Sequence, residues 1–196
     1  MLAAILMETP TEELMVADDV TLRDLAPGDV KVKIAHSGVC HSDLSAMNGT
    51  IPQTPPVVLG HEGAGVVTDI GDGVTHVAPG DHVIIAFSPP CGTCPYCTGR
   101  GQPNLCIDGF FAMSANPQFR RGDTVVGAMT GCGTFAEETI VPGIAAVKID
   151  DDIPLDVAAL VGCGVTTGVG AALNTAGITP GSSVLVIGAG GVGVAA

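Results

Sequence analysis

The sequence predicts a mixed α/β chain, β-rich over most of its length and closed by one strand–turn–helix unit. Three features predict it. Residues 29–36 alternate, with Val30, Val32 and Ile34 on one face and Lys31 and Lys33 on the other, which is the period of a half-buried strand. Residues 184–187 form a continuous apolar run, as a strand covered on both faces would. Glycines follow that run at once and allow a tight passage from strand into helix.

The remaining elements follow in order. Residues 65–70 and 81–87 read as further short strands, with Gly71-Asp72-Gly73 and Pro79-Gly80-Asp81 as the turns between them. Residues 139–149 read as a strand pair. Past Asp156 the character changes, because residues 157–196 contain no Asp, Glu, Lys or Arg. Residues 154–173 lack alternation and read as a buried helical stretch loosened by glycines. So apolar a segment is expected to be buried against something. Its last residues fall inside an apparent helix, so a continuation beyond Ala196 is expected.

Composition narrows the classes. The 196 residues are 46% apolar, enough for one cored domain, or one and part of a second. Seven basic against 20 acidic residues give a net charge of -13, which excludes a generic nucleic-acid binder and argues against an anionic membrane surface as partner. Every apolar run of membrane length is interrupted by glycines or polar residues, so no span is expected. The N-terminus has no basic segment ahead of its apolar residues; no signal peptide and a cytoplasmic location are expected.

Seven cysteines in such a compartment point to metal before disulfide. Cys91, Cys94, Cys97 and Cys106 place four sulfurs within sixteen residues, and tetrahedral zinc accepts four thiolates from such short loops. An iron–sulfur cluster is the rival, but Cys106 stands further off than that motif wants and Ile107, not proline, follows it. A closed four-sulfur site leaves no open position, so its expected role is structural. Cys40, His61 and Cys163 lie apart in Cys40-His41-Ser42-Asp43, Gly60-His61-Glu62-Gly63 and Gly162-Cys163-Gly164. Together they could form a three-ligand site whose fourth position stays free for chemistry. Gly188, Gly190 and Gly193, with Gly191 and Val192 between them, form a G-x-G-x-x-G turn. There the backbone can approach a pyrophosphate, and the helix start offers it N–H groups. The acidic residue that would select the ribose is expected about 20 positions further on, so NAD and NADP both stay open. His36, His76 and His82 read as surface or turn residues, Cys132 as a buried small residue and Arg120-Arg121 as a surface pair.

In this order, those motifs resemble the zinc-dependent alcohol dehydrogenases of the medium-chain dehydrogenase/reductase superfamily, over about residues 30–193. The resemblance implies a GroES-like catalytic domain over residues 1–164 and the start of a Rossmann dinucleotide-binding domain over residues 165–196. It implies two zinc ions, a catalytic one on Cys40, His61 and Cys163 and a structural one on Cys91, Cys94, Cys97 and Cys106. Glu62 would lie behind the metal, Asp43 would orient the His61 ring, and Ser42 would hydrogen-bond the alcohol oxygen. His41 would meet the cofactor pyrophosphate and Thr167 would lie near the nicotinamide. The implied reaction oxidises an alcohol, or a thiol-hemiacetal adduct, with hydride transfer to NAD or NADP. The implied partners are a small alcohol or aldehyde and, for the whole protein, copies of itself in a homodimer or homotetramer. The chain alone is expected to be inactive, since most of the nicotinamide site would lie outside it. Two departures stand out: eight residues separate Cys97 from Cys106, one more than the family pattern, and Ser45 stands where many relatives have histidine. A non-catalytic zinc-stabilised scaffold and a metal-poor quinone or enoyl reductase are the alternatives.

Overall fold

A computed structural model of the chain describes residues 1–115 and 117–196. Three short strands open it, β1 (Ala3–Leu6), β2 (Met15–Ala17) and β3 (Val20–Leu22), followed by the long strand β4 (Asp29–Gly38) and helix α1 (His41–Met47). Next come β5 (Val57–Val58), β6 (Glu62–Ile70) and β7 (His82–Ile85), then α2 (Pro95–Thr98) and α3 (Ile107–Ser114). Strands β8 (Phe119–Arg121), β9 (Thr124–Ala128), β10 (Glu138–Pro142) and β11 (Ala146–Lys148) complete the β-rich part. The rest is helical, with α4 (Leu155–Leu160), α5 (Thr166–Gly170) and α6 (Gly191–Ala195).

Among the described residues the strands form two sheets. One runs β10-β4-β6-β7-β11 and the other β2-β1-β5-β9-β8-β3. Alternation sets the first: Val30 and Val32 are fully buried, while Lys31 reaches Glu138 on the neighbouring strand at 3.0 Å. In register, Val32 faces Val67 of β6 on one side and Thr139 of β10 on the other. With Val83, Ile85 and Val141 these valines close one core. The second sheet encloses Ile5, Val20, Val58, Phe119 and Val126. The sheets meet where Ala3 bridges Ala136 and the Ala4 N–H donates to the Phe135 carbonyl at 2.8 Å.

Helix α4 lies on the back of the first sheet. Its Ala158 and Ala159 pack against Ala64 and Ile84, and such small side chains let the helix come close to the strands. The helix continues through a π-turn at Val161–Val165 into α5 and a second π-turn at Ala171–Thr175. From Leu155 to Thr175 it has the length and hydropathy of a membrane-crossing helix, with 22% of the most apolar window buried. The interrupting glycines and threonines, which argued against a span in the sequence, leave its mean hydropathy at 1.5, within that range.

The C-terminal part departs from expectation in two ways. Residues 184–187 form no strand: they pair with nothing among the described residues, and Leu185 and Ile187 are 84% and 91% exposed. A strand buried on both faces needs parallel neighbours and covering helices, and the described residues supply neither. For the same reason the charge-free stretch is buried only in part: Ala158, Ala159 and Ala172 are covered, but Val157, Leu173 and Val194 are all more than half exposed. The sequence reading also left out the six-stranded sheet, whose strands are mostly two to four residues long.

Candidate functional site

The dispersed cysteines and histidine converge. Ligand atoms of Cys40, His61, Glu62 and Cys163 all lie within 4.8 Å of one another. Three parts of the fold deliver them. Cys40 is the residue before α1, and its N–H donates to Asp43 Oδ2 at 2.9 Å, which fixes the first turn of that helix. His61 and Glu62 lead into β6. Cys163 sits in the π-turn between α4 and α5, a helix irregularity of the kind that gathers at functional sites. The glycine before it allows a close approach: a Cβ on Gly162 would lie 3.1 Å from the Ile85 carbonyl oxygen, whereas one on Gly164 would make an ordinary contact, 3.4 Å from Glu62 Oε1.

Buried polar groups hold this arrangement. Asp43 is 3% exposed. Its Oδ1 accepts the Gly60 N–H at 3.1 Å and lies 3.4 Å from His61 Nδ1. That last contact is electrostatic rather than a hydrogen bond, since the buried Nδ1 has no hydrogen-bond partner. It leaves Nε2 as the ring atom for the cluster. Glu62 is also buried and its Oε1 accepts the Gly164 N–H at 3.0 Å. Phe87 meets the His61 ring edge-on, with centroids 5.8 Å apart.

The titrations follow from this crowding. Burial pushes the Cys40 thiol up, but the Ser42 N–H and hydroxyl and the His61 ring outweigh it and hold the thiol below its ordinary value. Burial, then the charges of Cys40 and Glu62, push Cys163 up to about 11. For His61, burial opposes protonation, but Asp43 and Cys40 prevail and raise its pKa. Two sulfurs and a carboxylate this close repel one another when ionised. A divalent cation among them removes that repulsion, so the donor set fits zinc.

The contiguous cysteines converge as well. Sulfur–sulfur separations are 3.5 Å for Cys94–Cys97, 3.8 Å for Cys94–Cys106 and 4.0 Å for Cys91–Cys97. A tetrahedron with metal–sulfur bonds of about 2.3 Å has edges of about 3.8 Å, so the four sulfurs are spaced for one ion. The extra residue before Cys106 therefore does not displace it. Backbone donors aim at the sulfurs: Cys91 N–H donates to Cys106 Sγ at 3.2 Å, and Cys94 N–H to Cys91 Sγ at 3.3 Å. The Thr93 hydroxyl and nearby N–H groups hold Cys91 down to about 6, whereas burial and neighbouring sulfurs drive Cys97 up to about 12.

An open cavity of about 530 Å³ adjoins the dispersed cluster, lined by Ser42, His61, Phe87, Met129, Thr130 and Cys163 among others. Ser42 Oγ lies 3.5 Å from Cys40 Sγ. Thr167 is close enough to Cys163 to oppose part of the rise in its pKa. His41 is exposed in the first turn of α1 and stands outside the cluster. Gly188 and Gly190 lie in the exposed turn before α6, with Gly188 at φ +99°, and Gly191, Val192 and Gly193 open the helix. Met129 and Thr130 escaped the sequence reading, because their place in the cavity comes from a loop with no periodic signal. Thr130 is the one non-glycine residue at positive φ, 52°, among the described residues.

Residues 26–151 match the family described as the alcohol dehydrogenase GroES-like domain. The chain belongs to that family. It is 45% identical over 183 residues to an S-(hydroxymethyl)glutathione dehydrogenase of Photobacterium damsela subsp. piscicida, covering 88% of this chain and 49% of that one. It is 44% identical over 192 residues to alcohol dehydrogenase B of Mycobacterium tuberculosis, covering 91% and 49%. Among solved structures, an alcohol dehydrogenase zinc-binding domain protein from Burkholderia ambifaria superposes with a TM-score of 0.89 at 30% identity, over 99% of this chain and 54% of that one. The chain thus spans about half the length of the curated relatives it matches. The two curled sheets are the family's GroES-like fold, as the sequence motifs led one to expect.

Proposed function

We propose that the chain carries the catalytic part of a zinc- and nicotinamide-dependent alcohol dehydrogenase that oxidises an uncharged alcohol to its carbonyl. One observation carries the reading: Cys40, His61, Glu62 and Cys163 converge from three parts of the fold beside an open cavity of about 530 Å³. Residues 1–164 act as the catalytic domain and residues 165–196 as the start of a Rossmann domain. Cys40, His61 and Cys163 would hold one zinc, and Cys91, Cys94, Cys97 and Cys106 a second. The metal supplies a Lewis acid for the alcohol oxygen, and the nicotinamide the hydride acceptor.

The chain's own residues do the rest. Ser42 presents its hydroxyl in the cavity, where it hydrogen-bonds the alcohol and passes its proton outward. Asp43 orients the His61 ring from behind through its charge. Glu62 places a buried carboxylate at the back of the cluster. The turn at 188–193 suits a pyrophosphate of NAD or NADP, because nothing lies within 4 Å of where a Cβ would stand on Gly188, Gly190 or Gly191, so a ligand can approach the backbone. His41, exposed at the start of α1, suits the same pyrophosphate, and Thr167 beside Cys163 suits the nicotinamide end.

The cavity lining supports an uncharged substrate over an anionic thiol adduct. Ile51, Pro52, Phe87 and Met129 are apolar, Gln53 and Thr54 are neutral, and the ionisable lining groups are the cluster's own His61 and Cys163. Arg121 is engaged elsewhere, 2.8 Å from Asp19. The converging donor set also disfavours a metal-poor reductase. Seven free thiols suit the cytoplasm, and the whole protein is proposed to act as a homodimer or homotetramer.

Zinc per chain, by elemental analysis of the wild type and of Cys163→Ala, tests the reading. Two ions falling to one establish the separate open site. One ion in both proteins overturns it and leaves a zinc-stabilised scaffold.

A further inference from the structure

A turn beside the cavity is held by a side chain that is not among the cavity's lining residues. Met129 and Thr130 line the cavity. The turn that follows them is tight, with Thr130, Gly131 and Gly133 at φ values of 52°, 76° and 58°. A turn of this shape directs its carbonyls away from any strand ladder, and buried carbonyls need donors.

Gln118 supplies them. Its side chain is buried, with the residue 1% exposed. Nε2 donates to the Gly131 carbonyl at 2.9 Å and to Thr139 Oγ1 at 3.2 Å, and lies 3.5 Å from the Cys132 carbonyl. The Thr139 hydroxyl in turn donates to the Cys132 carbonyl at 2.6 Å. Both carbonyls of the turn are thereby tied to residues beside β8 and in β10. On the other side Met113 of α3 closes the space, since a Cβ on Gly131 would lie 2.5 Å from Met113 Cγ. The turn can relax neither way without losing a hydrogen bond or opening a void.

We propose that Gln118 is a positioning residue for the substrate cavity, fixing through the 130–133 turn where Met129 and Thr130 stand. The proposal rests on the dehydrogenase reading for what fills the cavity, and not for the clamp itself.

The test uses the metal-loaded protein expressed from its whole reading frame. With methyl-¹³C methionine, the Met129 resonance is assigned by Met129→Leu. In Gln118→Leu that resonance is expected to move well outside its line width, while the methionines remote from the turn stay in place and metal content is unchanged. With primary alcohols of increasing length, KM for the longest is expected to rise about tenfold, as for one buried hydrogen bond lost, with kcat for the shortest kept within about twofold. Thr139→Val should displace Met129 less, and Thr139→Ser should restore it, which a general loss of stability would not do. Should Gln118→Leu fail to fold, the Thr139 pair decides in its place. A folded Gln118→Leu or Thr139→Val with the Met129 methyl unmoved overturns the proposal. Absence of turnover in the wild type overturns the dehydrogenase reading alone, because the methyl readout needs no turnover.

Discussion

The two donor clusters are assembled by the fold in two different ways. Cys91, Cys94, Cys97 and Cys106 come from one stretch of sixteen residues, and their sulfurs span a tetrahedron by themselves. Cys40, His61 and Cys163 come from a helix start, a strand start and a π-turn, and they adjoin a cavity. The first needs only local loop closure. The second exists only while β6, α1 and the helix from Leu155 to Thr175 hold their places. A locally closed site is suited to holding a lobe together, whereas a site assembled by the whole fold can leave a coordination position open to substrate.

The sharpest way to break this contrast is Cys94→Ser. Structural zinc bound by short loops contributes of order 10 kcal/mol of apparent binding energy, most of it folding energy of the segment that binds. The lobe metal should therefore be lost, and amide exchange protection should collapse in α2 and α3 while β4 and β6 keep theirs. Zinc analysis with hydrogen exchange reads both. Loss of the second ion in the same variant would show that the clusters are not independent.

Asp43→Asn probes the other side with a smaller effect. The carboxylate receives the Cys40 and Gly60 N–H groups and faces His61. A partner behind a ligand is worth roughly 10–100-fold in metal affinity. Chelator competition should show that loss at one site only, with the four-cysteine lobe unchanged. A wild-type affinity at the dispersed site in the variant would deny Asp43 its positioning role.

This contrast also explains what could be read from the sequence. The lobe was legible because its ligands are adjacent and spaced by short loops. Strand β4 was legible because one of its faces is wet, so that Lys31 and Lys33 punctuate Val30 and Val32. The dispersed set was legible through motifs, since nothing in the spacing of Cys40, His61 and Cys163 brings them together; β6, α1 and the π-turn do. Residues 184–187 misled because an apolar run reports burial only where neighbours exist to bury it. Gln118 left no signal at all: a single glutamine becomes a clamp only when the turn it serves is folded against it.

The smallest expected effect belongs to an exposed ion pair that supplies no donor to either cluster. Lys148 of β11 meets Asp81 at 2.6 Å, tying β11 toward β7, on which α4 rests through Ile84. The Lys148 ammonium and the Ala78 N–H hold the Asp81 carboxyl below its ordinary value, and Asp81 raises Lys148 in return. A depressed carboxylate stabilises the fold above its unfolded pKa and loses that contribution as pH falls through the folded one. A raised lysine keeps its contribution below its unfolded pKa and loses it as pH rises through the folded one. The pair therefore acts across the neutral range and fades at both extremes, and its exposure leaves it weak. Thermal melts of Lys148→Ala should differ slightly from wild type near neutrality and coincide with it in strong acid, with zinc unchanged at both clusters. Loss of the Cys163 metal in this variant would mean that the dispersed site depends even on the exposed rim of the sheet. The line between a local and a fold-assembled centre would then lie further out than the buried contacts place it.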